Sequence, residues 1–222
     1  MALSTPDMVL LDLDGTLVDS VPDLAWSLNR TLAIIGLPGH EIERIRGWIG
    51  LGIEHLIRCA LAGGPGAGPD PSLFERALPV FLEVYGENAC VHSHCYPGVQ
   101  EGIDYLKGKG IDLGCVTNKR AQFAESILKK LGLLDDFGIV VAGDTLPKRK
   151  PDPMPLLHAA RHFHVAPENA LMIGDSCKDV EAARAAGFQV LCVTYGYNFG
   201  RDIRDAGPDA VVDSLAELPS LI

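Results

Sequence analysis

The sequence predicts an α/β protein: a doubly wound, Rossmann-like parallel sheet interrupted near its start by an inserted block of helices. Three observations carry this expectation. Met8 to Leu11 is a short apolar run without helical spacing that ends in Asp12 and, soon after, Gly15, the pattern of a strand buried on both faces. From Pro97 onward, short apolar runs alternate with helix-periodic stretches, a pattern that builds a parallel sheet through right-handed crossovers. Between residue 20 and about residue 90 every periodic stretch is helical, so this segment is set into the α/β pattern.

After the first strand, Asp19 or Ser20 caps a helix and Pro22 suits its first turn. Val21, Leu24, Leu28, Leu32 and Ile35 form its apolar face, and Gly36 and Pro38 end it. Helical spacing returns at Ile42-Ile45-Ile49 and at Ile53-Leu56-Ile57-Ala60. Four Gly and three Pro crowded between Gly63 and Pro71 make a loop. A last helix of the block carries Ala77, Phe81, Val84 and Tyr85. The alternating part then reads as helices at 99–106, 123–131, 154–163 and 180–186, with strands at 111–116, 139–142, 170–173, 190–193 and 210–212. The expected division is a core of residues 1–18 and 92–222 with a helical insert over 19–91.

A chain of 222 residues, 47% hydrophobic and 22% charged, suffices for one large sheet with a smaller insert. Nineteen basic against 29 acidic residues give a net charge of −10. With no basic, aromatic-interleaved face, nucleic acid is excluded as a partner. A small anionic substrate needs local positive charge, and Lys148-Arg149-Lys150 is the dense cluster that offers it. No apolar run reaches membrane length and no targeting segment is evident before Met8. The six cysteines lack a framework spacing. A reduced, cytoplasmic protein without a membrane partner is expected.

Chemistry is expected where the strands end, because buried strands expose nothing along their length. Asp12 and Asp14 lie two apart, so an extended chain directs both to one side. Two carboxylates held that close repel, and a divalent cation relieves them. A calcium-loop reading fails, because the third ligand position is Thr16 and the obligatory Gly position is Leu17. Two further strand ends supply Thr117-Asn118 and Asp175-Ser176, and Lys150 precedes Pro151 in a loop before a helix.

Acid, hydroxyl, amine and acid, in that order and on those elements, resemble the four motifs of the haloacid dehalogenase superfamily. They stand here as Asp12-Leu13-Asp14-Gly15-Thr16, Thr117-Asn118, Lys150-Pro151 and Gly174-Asp175-Ser176-Cys177-Lys178-Asp179. The resemblance spans essentially the whole chain and makes the helical insert a cap. It implies phosphoryl transfer through an aspartyl-phosphate, with Asp12 as nucleophile and Asp14 as general acid, then general base. It further implies Mg²⁺ on Asp12, the Asp14 backbone carbonyl and Asp175. Thr117, Asn118 and backbone N–H groups would hold the phosphoryl oxygens, and Lys150 would offset their charge. Gly15, Thr16, Ser176 and Asp179 would support this set. Asp179 is expected either to orient Lys150 or metal-bound water, or simply to face the dipole of its helix. The phosphonate-cleaving branch needs a cap lysine, and the first lysine of this chain is Lys107.

Within the superfamily, Arg46–Gly52 and Thr194–Gly200 are similar to the corresponding segments of phosphoglycolate phosphatases. Leu51 and Cys177-Lys178 depart from the more usual residues there. The resemblance implies a small phosphorylated metabolite, most simply 2-phosphoglycolate, as substrate of a monomer or small homo-oligomer. N–H groups of the Gly50/Gly52 loop, at the start of a helix, can face a substrate carboxylate, and Arg46 or His55 can add charge. A sugar phosphate, an amino-sugar 6-phosphate, a nucleotide or pyrophosphate stay open, as does a non-catalytic phosphate-binding module. Cys90-Val91-His92-Ser93-His94-Cys95 and the pair His158/His162 imitate metal motifs but lack the partner ligands such motifs need.

Overall fold

The six apolar runs read as strands pair into one parallel sheet in a computed structural model that describes residues 3–66 and 68–222. Met1, Ala2 and Ala67, the last inside the expected Gly/Pro loop, lie outside the described residues. The chain runs β1 (Met8–Leu11), β2 (Val18–Asp19), α1 (Val21–Ile34), α2 (Ile42–Arg46), α3 (Ile53–Ala62) and α4 (Pro71–Asn88). It continues through β3 (His94–Cys95), α5 (Val99–Gly108), β4 (Asp112–Val116), α6 (Ala121–Lys130) and β5 (Ile139–Val141). Last come α7 (Met154–Phe163), β6 (Ala170–Gly174), α8 (Cys177–Ala186), β7 (Gln189–Val193) and β8 (Ala210–Val212).

The sheet order is β5-β4-β1-β6-β7-β8, so the first strand lies inside the sheet. Every residue of β1 is fully buried, because both faces are covered. Val9 and Leu11 share a core with Ile103 of α5 and Ile127 of α6, while Met8 and Leu10 share one with Leu156 of α7 and Val180 of α8. Leu11 aligns with Cys115 of β4 and with Ile173 of β6. Three strand ends therefore finish side by side, where the strand order reverses and α/β sheets bind their ligands.

Four elements differ from the sequence pattern. β2 and β3, two residues each, pair antiparallel across the two ends of the helical segment, Val18 with Cys95 and Asp19 with His94. Alternation cannot register in two residues. α2 stops at Arg46, with Trp48 and Ile49 buried in the turn that follows. α4 begins at Pro71, where Asp70 accepts the Ser72 N–H (2.9 Å); Asp at the cap and Pro in the first turn start a helix without any apolar face.

The return from α4 is tied to α1. The buried Asp23 carboxylate accepts the N–H groups of Val91 (3.0 Å), His92 (2.9 Å) and Ser93 (2.8 Å). Among the described residues no helix is long and apolar enough to cross a membrane.

Candidate active site

Asp12 follows β1 directly and its N–H still donates to Ile173 (3.0 Å). The chain then turns so tightly that Leu17 and Val18 both donate to the Leu13 carbonyl. Gly15 makes this turn with φ of 89°, and a Cβ there would stand 2.3 Å from Asp175 Oδ2. From the other side a Cβ on Gly196 would stand 2.1 Å from Asp175 Cβ. Two bare backbones thus clasp the Asp175 carboxylate, which accepts the Tyr197 N–H (2.7 Å) and the Thr16 hydroxyl (3.3 Å).

Each aspartate of the first motif has its own buried lysine. Lys150 Nζ lies 2.9 Å from Asp12 Oδ1 and donates to Asp179 Oδ1 (2.6 Å) and the Val116 carbonyl (2.8 Å). Asp179 also accepts the N–H (3.1 Å) and hydroxyl (2.7 Å) of Ser176, at the start of α8. It therefore caps its helix and orients Lys150 at once, joining the two roles the sequence left as alternatives. Lys119 donates to both oxygens of Asp14 (2.9 and 3.0 Å), and the Ser20 hydroxyl donates to Oδ1 (2.5 Å).

Burial pushes the Asp12 carboxyl up to about 6, against the pull of Lys150. Burial also holds Asp175 well above the usual carboxylate range. For Lys119 and Lys150 burial acts downward, but Asp14 with the Tyr85 phenol at Lys119, and Asp12 with Asp179 at Lys150, together outweigh it and leave both raised. Asp12, Asp14, Asp175 and Asp179 against Lys119 and Lys150 leave two uncompensated negative charges when all are ionised, the deficit one divalent cation fills. Asp12, Asp175 and Asp179 bring oxygens within 4.8 Å of one another. The side chain of Asp14 stands outside that group, engaged by Lys119 and Ser20, so this residue has only its backbone carbonyl for a cation.

Thr117 Oγ accepts the Lys119 N–H (3.2 Å), which leaves the hydroxyl proton free to donate. Asn118 commits its side-chain amide to the carbonyls of Gly50 and Lys150, both at 3.0 Å. Its backbone N–H is the donor left for a phosphoryl oxygen. Arg46 corrects the sequence expectation: it does not line the site, but pairs with Glu43 (3.3 Å) and lies 5.5 Å over the Tyr197 ring. The early end of α2 leaves it there. His55 is likewise turned to Cys59 Sγ (3.3 Å), and burial with nearby Arg149 lowers its pKa.

A partly open pocket lies over these groups. Asp12, Asp14, Thr117, Asn118 and Lys119 form its floor, and Leu24, Ile49, Gly50, Gly52, Ile53 and Leu56 its roof. Roof meets floor through Asn118 on Gly50 and through Arg120 on Glu54 of α3. Gly52 is required as glycine: its φ is 90° and a Cβ would stand 2.7 Å from the Arg149 guanidinium. Sequence reasoning missed Lys119, Ser20 and Tyr197. Lys119 carried a signal, as a cation directly after Thr117-Asn118; Ser20 and Tyr197 meet the site only through the fold.

The model of the family described as haloacid dehalogenase-like hydrolase matches residues 9–193. A relative named phosphoglycolate phosphatase from Nitrosococcus oceani is 52% identical, across 99% of this chain and 98% of its own. One of the same name from Thiobacillus denitrificans is 47% identical over 96% of this chain and 94% of its own. The crystal structure of a predicted phosphoglycolate phosphatase from Haemophilus somnus superposes with a TM-score of 0.92 at 34% identity, covering 98% of both chains. A matching model over most of the length, relatives this close and the four motifs converging on one sheet edge lead to one conclusion: the chain belongs to the haloacid dehalogenase-like hydrolase family.

Proposed function

We propose that the protein is a Mg²⁺-dependent phosphomonoesterase that hydrolyses 2-phosphoglycolate, free in the cytoplasm, to glycolate and phosphate. One observation carries the reading: Asp12 and Asp14 share the floor of one pocket, yet each is held by a different buried lysine. A phosphate-binding module needs no second, separately held acid. The names of the close relatives point to the same ester.

Asp12 Oδ1 is engaged by the Leu13 N–H (2.7 Å) and by Lys150, which leaves Oδ2 as the attacking oxygen. It forms the O–P bond while the ester O–P bond breaks, and Asp14 supplies a proton to the departing alkoxide. Asp14 then takes a proton from the water that attacks the aspartyl-phosphate, releasing phosphate and restoring Asp12. Thr117 and backbone N–H groups steady the phosphoryl oxygens, and Lys150 offsets their charge. Asp12, Asp175 and the Asp14 carbonyl would hold Mg²⁺, which supplies positive charge between two anions that must meet. Residues 19–91 serve as a lid on the core of residues 1–18 and 92–222, hinged at the short β2/β3 pair.

The test is phosphate release from 2-phosphoglycolate, glucose 6-phosphate, a nucleoside monophosphate and pyrophosphate, each with Mg²⁺ and with EDTA. Turnover led by 2-phosphoglycolate and abolished by EDTA is expected. Metal-independent turnover, or a stronger preference for another of these esters, refutes the proposal.

A further inference from the structure

We infer that Lys119 is a specificity-determining residue, whose ammonium receives the substrate's own carboxylate and fixes its distance from the phosphate ester. This rests on the proposal that Asp14 stands at the leaving oxygen of a carboxylated ester.

The roof cannot serve a carboxylate with its side chains, since Leu24, Ile49, Ile53 and Leu56 are apolar and a buried charge without a partner is costly. Among the described residues, Lys119 is the one cationic side chain on the cavity surface. Arg120 is held by Glu54 and Arg46 by Glu43. An ammonium has three donors, and Asp14 takes two of those on Lys119. The third has no oxygen partner. Beside it stands Tyr85, whose ring centre is 5.1 Å from Nζ and whose fully buried hydroxyl makes no hydrogen bond. Nζ, on the cavity wall, and the buried Tyr85 hydroxyl beside it are therefore answered by no carboxylate or carbonyl beyond Asp14.

Lys119 is also built to stay in place. Its N–H is fixed to Thr117 Oγ, and its carbonyl accepts the Gly143 N–H (2.7 Å). Tyr85 is stacked on Phe81 and edged by Phe123. With Nζ 2.9 Å from Asp14, one ordinary hydrogen bond on either side sets the spacing of the substrate's two ends. Where those two hydrogen bonds run parallel, a leaving oxygen on Asp14 and a carboxylate oxygen on Lys119 lie about 3 Å apart. One carbon between ester oxygen and carboxylate, as in 2-phosphoglycolate, meets this spacing. One more methylene overshoots it.

The experiment compares kcat/KM for 2-phosphoglycolate, ethyl phosphate and 3-phosphooxypropionate, in the wild type and in Lys119→Met. Inhibition by glycolate and by inorganic phosphate is measured alongside. The wild type is expected to prefer 2-phosphoglycolate by about 30-fold or more over ethyl phosphate and by tenfold or more over 3-phosphooxypropionate. In Lys119→Met the preference over ethyl phosphate should fall about 30-fold, the weight of one hydrogen bond to a charged group, and the glycolate inhibition constant should rise by a similar factor relative to that of phosphate. Equal losses on both esters with unchanged glycolate inhibition would overturn the inference, for Lys119 would then act through Asp14 alone. If Lys119→Met does not fold, the wild-type comparison decides: equal rates on 2-phosphoglycolate and its longer homologue reject the spacing. A wild type without preference over ethyl phosphate instead defeats the proposed substrate.

Discussion

Asp12 keeps one carboxylate oxygen clear of the protein, whereas Asp14 has both oxygens engaged by a lysine. In the proposed mechanism the nucleophile is thus free to attack while the acid is aimed. Asp12→Asn retains shape and removes the attacking anion. Phosphomonoester hydrolysis is among the slowest uncatalysed reactions, with enhancements up to ~10²¹-fold, so its turnover should fall below detection while far-ultraviolet circular dichroism is unchanged. A kcat above a few per cent of wild type in clean protein contradicts the assignment. Asp14→Asn separates the two half-reactions. With p-nitrophenyl phosphate the leaving phenolate needs little acid, so transfer to Asp12 survives in part while water attack lacks its base. Rapid mixing should show a burst near one nitrophenol per site and a hydroxylamine-labile mass increase at Asp12. Equal slowing of alkyl and aryl esters without a burst would confine the Asp14 side chain to holding Lys119 and Ser20 in place.

At the scale of elements, the sequence made legible what is local. An apolar run that stops at a polar residue marks a strand end, so β1, β4 and β6 and the groups beyond them could be read directly. Contacts between distant segments leave no such mark: Lys119 meets Asp14 across 105 positions, Asn118 reaches Gly50 across 68, and Arg46 turns away because α2 ends early. The Arg120–Glu54 bridge between α6 and α3 belongs to the same class. Burial raises the Glu54 carboxyl, but the Arg120 hydrogen bond, a backbone hydrogen bond and the charges of Arg120 and Arg149 together outweigh it, leaving the pKa lowered. A depressed folded value stabilises the pair above the unfolded value of a glutamate, and that gain is lost as pH falls through the folded one. The bridge is therefore complete at neutral pH. Both side chains are about one-third exposed (30% and 34%), so Glu54→Gln should cost at most about 1 kcal/mol in thermal unfolding. Its larger effect should be on lid closure, with KM for 2-phosphoglycolate rising several-fold at pH 7 and converging on wild type as the pH is lowered past the glutamate range. A KM that stays at the wild-type value at pH 7 would show that the bridge does not hold the lid.

Over the whole molecule, the sheet order brings β4, β1 and β6 side by side, and the helical segment closes over their ends. One wall of the pocket is thus made by the strand ends and the other by the helical segment. In the proposed reading, a roof of four apolar side chains excludes water on closure and limits the ester that fits beneath it. 2-Phosphoglycolate should exceed hexose phosphates and nucleotides by at least tenfold in kcat/KM, about 1.4 kcal/mol of transition-state binding. The origin of that selection can be tested in the roof itself. Leu56 is buried at 2% exposure, so Leu56→Ala should destabilise the fold by about 2–4 kcal/mol while enlarging the cavity. If the lid selects by size, this variant should lose rate on 2-phosphoglycolate and gain on hexose phosphate relative to it, narrowing the ratio several-fold. Selection that persists unchanged in Leu56→Ala would place the discrimination on the floor, with Lys119 and the carboxylate it receives, and leave the roof the task of excluding water.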